Sequence, residues 1–163
     1  MASYGRIAVY TMNDINAEPY VPQFSLHIRN GTVPPSGWIL ICEDMSYRQQ
    51  EILGFMAERY GGRPDILIMT LPSAYPAFAV FQAMRPQFGE PMFVLVDQDM
   101  PLGNGVQMVN ALRKSRYAGK IIAFSGIPHN NEMLITAGAD TAVLKGQSKW
   151  KEQLTEALSG IEV

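Results

Sequence analysis

Residues 93–101 read Phe-Val-Leu-Val-Asp-Gln-Asp-Met-Pro. The first four residues form an apolar run, and the carboxylate of Asp97 follows it directly. A continuously apolar run of this length predicts a strand that is buried on both faces of a parallel sheet. Pro101 cannot donate a ladder hydrogen bond, so the strand must end before it. Asp97 is therefore predicted at the carboxyl end of a buried strand. In an open α/β sheet, ligands bind beside such strand ends.

Three more apolar runs predict strands, and each ends in a polar or charged side chain. These side chains are the acid pair Glu43 and Asp44, the hydroxyl of Ser125, and Lys145. Because the carboxyl ends of parallel strands meet at one edge of the sheet, we expect these groups to lie near Asp97. The sequence therefore predicts a single site with three acids, a hydroxyl and a lysine.

Strand-like and helix-like segments alternate from Gly37 onward, which predicts βα units around a parallel sheet of five strands and five helices. A chain of 163 residues, 47% hydrophobic and 17% charged, suits one globular domain. Residues 46–49 predict a capping box at the start of the first helix. The second helix is predicted from Ala77 to Met84, followed by a loop over residues 85–91 that contains a glycine and two prolines.

Residues 1–36 do not fit this alternation. Residues 6–11 and 23–28 each resemble a strand, and four prolines interrupt the segment. Three interpretations are open, namely an appended β-hairpin, a partner-binding arm and a poorly ordered tail. We favour the hairpin, which would have to pack on the main sheet or on another subunit because two strands alone are marginally stable. The expected division is an N-terminal extension, 1–36, and one domain, 37–163.

Composition and charge indicate which classes of partner and which cellular compartment to expect. A formal net charge of -2 provides no basic surface for nucleic acid, so direct binding to DNA is not expected. No stretch approaches the roughly 20 apolar residues that span a bilayer, and residues 1–6 lack the apolar core of a secretory signal. The single cysteine, Cys42, lies in an apolar run and has no partner for an intramolecular disulfide. A cytoplasmic protein without membrane insertion is expected.

The three acids indicate the chemistry. Glu43, Asp44 and Asp97, once brought together, repel one another and raise each other's pKa unless a cation neutralises them. Mg²⁺ prefers oxygen ligands and is typically held by one or two carboxylates together with phosphate oxygens. Such a site can hold a phosphoryl group against Asp97, whose carboxylate is the nucleophile that forms an aspartyl phosphate. Lys145 and the hydroxyl of Ser125 would each contact a phosphoryl oxygen.

At these residues the sequence resembles the receiver domain of two-component response regulators, the bacterial signalling family that includes the chemotaxis response regulator. Residues 97–101 match its phosphoacceptor motif D-x-x-M-P, and the glycine that usually follows eight residues after the aspartate is Gly105. The acid pair, the hydroxyl and the lysine match the family's residues after the first, fourth and fifth strands, and residues 137–140 match the approach to that last strand. The resemblance covers about residues 37–161.

The resemblance implies a flavodoxin-like, doubly wound fold with the five strands in the order 2-1-3-4-5. It also implies Mg²⁺-dependent acceptance of a phosphoryl group on Asp97 from a histidine kinase or a phosphotransfer protein. Glu43, Asp44 and Asp97 would hold the metal together with the backbone carbonyl of Asp99. The side chain of Asp99 adds an uncommon carboxylate that we expect to tune dephosphorylation.

Two positions depart from the family pattern. Ala142 stands where the family's switch has an aromatic residue, and Gly146 stands where a proline with a cis peptide bond usually follows the lysine. These departures do not change the residues needed for phosphorylation. They concern the conformational change by which phosphorylation would be transmitted to a partner.

Two functions remain open at this stage. One is a stand-alone response regulator that signals through phosphorylation-dependent contacts to a downstream protein, with no enzymatic activity beyond self-catalysed phosphotransfer and slow autodephosphorylation. The other is a degenerate receiver that binds proteins independently of phosphorylation. A flavin-binding protein of similar fold fits poorly because Glu43 and Asp44 would repel a phosphate where such proteins have a glycine-rich loop. Homodimerisation through the last two helices or the N-terminal segment is also open.

Overall fold

The computed structural model describes residues 2–4, 7–11, 36–61 and 65–161 of the chain. Strands and helices alternate along the described residues from Gly37 onward. The strands are β1 (Ala2–Tyr4), β2 (Ile7–Thr11), β3 (Gly37–Cys42), β4 (Ile66–Leu71), β5 (Phe93–Val96), β6 (Lys120–Ser125) and β7 (Thr141–Leu144). The helices are α1 (Ser46–Tyr60), α2 (Ala74–Phe88), α3 (Gly105–Lys114), α4 (Pro128–Ala137) and α5 (Trp150–Ala157).

The strands form one sheet in the order β1-β2-β4-β3-β5-β6-β7. β1 is antiparallel to β2, and the other neighbouring pairs are parallel. Numbered from β3, the five strands after residue 36 have the order 2-1-3-4-5, and with the five helices they confirm the predicted flavodoxin-like, doubly wound fold. Because the strand order reverses at β3 and β5, the crevice for a ligand lies at the carboxyl ends of these two strands.

The sheet is covered on both faces. Trp38 and Leu40 of β3 belong to the core that includes α2, α3 and α4, whereas Ile39 and Ile41 belong to the core that includes α1 and α5. All four side chains are 0% exposed. Full burial of one such side chain contributes roughly 1.5–3 kcal/mol to folding. Burial on both faces leaves no polar position within the strand, which is why β3 and β5 are continuously apolar in the sequence.

The start of α1 differs from the prediction. Met45 is the N-cap residue, without a side-chain hydrogen bond to the helix, and the capping box expected over residues 46–49 is not formed. The side chain of Gln49 is instead buried and donates to the backbone carbonyl of Glu43 at 2.6 Å. A buried carbonyl without a partner is costly, and Gln49 satisfies the one that precedes the exposed Asp44.

Helix α2 is longer than predicted at both ends. It begins at Ala74 instead of Ala77, and it continues through Pro86 to Phe88, so residues 85–88 of the predicted loop are helical. A proline in a helix interior removes one hydrogen bond and favours a break, but Pro86 lies in the last turn, where little helix follows. Arg85 holds this turn in place from the side. Its Nη1 donates to the carbonyl of Ser115 at 2.7 Å, and its guanidinium lies 5.2 Å from the ring centre of Phe81.

The N-terminal strand β2 extends the sheet beside β4, with Ala8 paired with Leu67. The predicted strand over residues 6–11 is therefore found, as Ile7–Thr11. Its predicted hairpin partner, residues 23–28, lies outside the described residues, so the hairpin and the division at residue 36 stay predictions. Within the described ranges, none of the helices has the length and apolar character needed to cross a bilayer.

Candidate functional site

Three acids lie together at the reversal of the strand order. Glu43 directly follows β3, and Asp97 directly follows β5. Each continues the hydrogen bonding of the sheet. The Glu43 N–H donates to the Leu71 carbonyl and the Asp97 N–H donates to the Cys42 carbonyl, both at 3.0 Å. Glu43 is 0% and Asp97 4% exposed, while Asp44 is exposed. One carboxylate oxygen from each acid lies within 4.8 Å of the others.

Lys145 connects two of these acids. Its Nζ lies 2.8 Å from Oε2 of Glu43 and 2.8 Å from Oδ2 of Asp97. Lys145 follows β7, two strands away from β5, and its side chain is only 10% exposed. One ammonium therefore faces two buried carboxylates, and it can balance only one of their charges.

The pKa values of these groups reflect first their burial and then this charge imbalance. Burial, together with the nearby Asp97, raises the pKa of Glu43 to about 7. Burial likewise raises the pKa of Asp97, although its hydrogen bond to Lys145 opposes the shift. Burial alone would lower the pKa of Lys145, but its hydrogen bonds to Asp97 and Glu43 outweigh this effect and raise it. The site therefore holds excess negative charge near neutral pH and favours a further cation or a proton.

Asp97 is held by the turn that leads into α3. Its Oδ1 accepts a hydrogen bond from the Gln98 N–H at 2.8 Å, and the Gln98 carbonyl accepts from the Gly105 N–H at 3.0 Å. A Cβ on Gly105 would lie 2.2 Å from the Asp97 carbonyl oxygen. Since no side chain tolerates such a contact, only glycine allows α3 to begin this close to Asp97. The side chain of Gln98 accepts from the Val106 N–H at 2.9 Å and ties the turn to the helix.

The donor set suits a hard divalent cation. Carboxylate oxygens are the ligands that Mg²⁺ prefers, and Mg²⁺ usually keeps several waters, which the exposed Asp44 side of the cluster allows. Within the part of the chain that the structure describes, this is the group of three acids close enough to share an ion. Asp99 follows Asp97 by two residues and is exposed, and its Oδ2 accepts a hydrogen bond from Asn130 Nδ2 at 3.1 Å.

Ser125 ends β6, the strand next to β5, and is 2% exposed. Its Oγ accepts a hydrogen bond from the Ile127 N–H at 3.2 Å. Its carbonyl accepts from the Lys145 N–H at 3.1 Å, so the backbones that carry the hydroxyl and the lysine are joined directly.

Three polar residues at the site were not singled out from the sequence as functional. Gln49 and Gln98 fix the backbone beside Glu43 and Asp97, and the buried Asn131 of α4 binds the backbone of Ser125. Each acts on backbone groups that only the folded chain brings near, so neither residue type nor spacing indicates the role. A polar residue at a position that faces the core is the only signal available.

The two departures from the family pattern have different structural settings. Ala142 is exposed on β7. Gly146 has a φ of +85°, and a Cβ there would lie 3.0 Å from Nη2 of Arg48. Proline is confined to a φ near −65°, so the observed loop after Lys145 excludes the family's usual residue.

No protein-family model and no curated protein matches the sequence. Among solved structures, the fold is similar to a chain of the CheX-CheY-BeF3-Mg²⁺ complex from Borrelia burgdorferi, with a TM-score of 0.62, 15% identity, and coverage of 78% of this chain and 90% of that chain. It is also similar to the chemotaxis protein CheY4 of Vibrio cholerae (TM-score 0.60, 18% identity, 77% and 98% covered). It is similar, too, to the phosphorylated cyanobacterial phytochrome response regulator RcpA, with a TM-score of 0.61, 15% identity, and coverage of 77% of this chain and 91% of that chain.

At these identities the likeness concerns the fold. The described residues from Gly37 onward have the fold of CheY-like response regulator receiver domains, as the sequence predicted.

Proposed function

We propose that this protein is a response regulator receiver that accepts a phosphoryl group on Asp97 in a Mg²⁺-dependent reaction. The observation that carries the proposal is the cluster of Glu43, Asp44 and Asp97 oxygens within 4.8 Å, with Lys145 Nζ 2.8 Å from two of the acids. The proteins of similar fold add support, because one is described in a complex with BeF3 and Mg²⁺ and another as phosphorylated. Glu43, Asp44, Asp97 and the backbone carbonyl of Asp99 hold the metal in this proposal.

The reaction is a transfer to a carboxylate. An Asp97 oxygen attacks phosphorus, the bond from phosphorus to the donor nitrogen breaks, and the nitrogen retains the electron pair and takes up a proton. Bound Mg²⁺ supplies charge neutralisation for the phosphoryl oxygens. Lys145, whose Nζ now faces Asp97 Oδ2, pairs with one of these oxygens. The Ser125 hydroxyl, which accepts from the Ile127 N–H, donates its own proton to another.

The proposed partners come from the resemblance to receiver domains. It implies that the donor is a phosphohistidine of a histidine kinase or of a phosphotransfer protein. The output is a phosphorylation-dependent contact with a downstream protein. A cytoplasmic location and a homodimer remain predictions from the sequence.

Uptake of phosphate from a small donor tests the proposal. Incubation with phosphoramidate and Mg²⁺ should add the mass of one phosphoryl group to the intact protein, and EDTA should prevent the addition. The isosteric variant Asp97→Asn should take up none, whereas Asp99→Asn, which changes a neighbouring exposed carboxylate, should still be labelled. Wild-type protein that stays unmodified at any donor concentration would exclude the proposed function.

A second candidate is a receiver that binds its partner independently of phosphorylation. The exposed Ala142 favours it, because an alanine cannot turn into the core and repack a surface in the way the family's aromatic residue does. The two candidates differ in one measurement. Equal affinity of a captured partner for wild-type protein, phosphorylated protein and Asp97→Asn supports the second, and a change on phosphorylation supports the first.

A further inference from the structure

The side chain of Asn131 makes three hydrogen bonds to the backbones of β6 and β7. Asn131 lies in the first turn of α4 and is 6% exposed. Its Oδ1 accepts from the Ser125 N–H at 3.0 Å, and its Nδ2 donates to the Ser125 carbonyl at 3.3 Å and to the Val143 carbonyl at 3.1 Å. Both amide protons and one acceptor position of the side chain are therefore used.

These partners determine the orientation of the amide. The oxygen faces a donor and the nitrogen faces two carbonyls, so a reversed amide would place like groups against each other. Asn131 thus joins Ser125, the last residue of β6, to Val143 of β7, which lies two residues before Lys145 in the sequence. The direct hydrogen bond from the Lys145 N–H to the Ser125 carbonyl completes this connection.

We infer that Asn131 is a positioning residue for phosphoryl transfer, which fixes the Ser125 backbone so that the hydroxyl meets the phosphoryl group on Asp97. This inference rests on the proposed function. The Ser125 side chain has a single rotatable carbon–carbon bond, so the place of its oxygen depends on the place of its backbone. Misplacement of a catalytic group by about 1 Å can lower a rate about a hundredfold. The hydrogen bonds from Asn131 in α4 restrict movement of the Ser125 backbone and so prevent such a misplacement.

A purely structural role is the alternative, since a buried asparagine with three partners stabilises the fold wherever it lies. The two roles differ in whether the effect of Asn131 depends on the Ser125 hydroxyl. A double-mutant cycle separates them, because residues that act through one another are not additive. The cycle compares wild-type protein, Asn131→Ala, Ser125→Ala and the double variant, with the initial rate of labelling by phosphoramidate and Mg²⁺ as the readout.

We expect Asn131→Ala to lower the labelling rate about tenfold when Ser125 is present. In the Ser125→Ala background the same change should lower the rate less than about twofold, because no hydroxyl is left to misplace. Equal losses in the two backgrounds, or no loss when Ser125 is present, would overturn the inference.

Gln153→Ala is the matched control. Gln153 also bonds the end of β7, since its Oε1 accepts from the Leu144 N–H at 3.1 Å, but none of its hydrogen bonds reaches Ser125. Its loss should leave the labelling rate within about twofold of wild type. A loss as large as that of Asn131→Ala would show that any weakening of β7 slows the reaction, and the inference would fail.

Folding and function are separated within the same set of proteins. Circular dichroism melts establish that each variant folds, and if Asn131→Ala does not, Asn131→Leu replaces it in the cycle, since leucine is close to asparagine in size, avoids a cavity and makes none of the three hydrogen bonds. Wild-type protein that takes up no phosphate removes both the proposed function and this inference. Labelled wild-type protein without coupling between the two residues removes the inference alone.

Discussion

The buried carboxyl of Glu43 makes the stability of the protein depend on pH. Its pKa is raised from 4.5 to about 7, mainly by burial and then by Asp97. A carboxyl whose pKa is higher in the folded than in the unfolded chain binds a proton more tightly when folded. Stability therefore falls as pH rises from about 4.5 to about 7, and the penalty is complete above that range.

Mg²⁺ should remove this penalty, because a bound cation favours the ionised carboxylate. We expect Mg²⁺ to raise the melting temperature more at pH 8 than at pH 6, where Glu43 is protonated in the metal-free protein. Melts by circular dichroism at both pH values, with Mg²⁺ or EDTA, measure the difference. In Glu43→Gln the stability of the metal-free protein should change less between the two pH values. A Mg²⁺ effect that is identical at pH 6 and pH 8 would contradict the assignment of the penalty to Glu43.

Asp99 adds a carboxylate beside the site, and we expect this carboxylate to shorten the lifetime of the phosphoryl group. It is exposed, and Asn130 Nδ2 donates to its Oδ2 at 3.1 Å. A carboxylate can accept a proton from an attacking water, so we expect Asp99→Asn, which removes this general base, to lengthen the half-life of the aspartyl phosphate by about tenfold or more. Decay of the phosphorylated protein, followed by intact mass after removal of donor, measures it. An unchanged half-life would leave Asp99 without this role.

The elements differ in how far local sequence determines them. β3 and β5 could be predicted because burial on both faces leaves a continuous apolar run. Gly105 could be located through the family resemblance, which places a glycine eight residues after the phosphoacceptor. The length of α2 could not be predicted, since Pro86 favours a break and the hydrogen bond of Arg85 to the distant Ser115, which supports the last turn, forms only in the folded chain. The convergence of the three acids followed from topology alone, whereas the buried amide of Asn131 depends on contacts between elements.

The loop between β7 and α5 carries the next prediction. Gly146 has a φ of +85°, which proline cannot adopt and which other residues adopt at a cost of about 1–3 kcal/mol. Gly146→Pro, although it restores the family's residue, should therefore destabilise the protein or rearrange the loop, and Gly146→Ala should lower the free energy of unfolding by about 1 kcal/mol or more. Urea unfolding measures both.

Gly54→Ala supplies the control for this experiment. Gly54 lies within α1, and a Cβ there would have no atom within 4 Å. Alanine in an exposed helix interior should raise stability by about 0.5–1 kcal/mol. If Gly146→Ala proves as favourable as Gly54→Ala, the loop after Lys145 does not hold its left-handed backbone in solution.

At the scale of the whole molecule, the site depends on the complete sheet. Glu43 and Lys145 are 102 residues apart in the sequence, and their contact forms only when β3 and β7 are joined through β5 and β6. The same contact brings two buried carboxylates to one ammonium. The proposed function and stability are therefore opposed at this point of the fold, because the negative charge that would attract a cation weakens the metal-free protein.

Asp97→Asn tests this opposition directly. Burial raises the pKa of Asp97, so its ionised form destabilises the folded chain near neutral pH despite the contact with Lys145. The isosteric amide removes the charge and leaves Lys145 paired with Glu43 alone. We expect the variant to unfold at a higher urea concentration than wild type in EDTA at pH 8, and to gain less stability from Mg²⁺. Asp99→Asn, an exposed acid outside the ammonium contacts, should change neither quantity. Lower stability of Asp97→Asn in EDTA would mean that the ion pair of Asp97 with Lys145 outweighs the cost of burying the Asp97 charge.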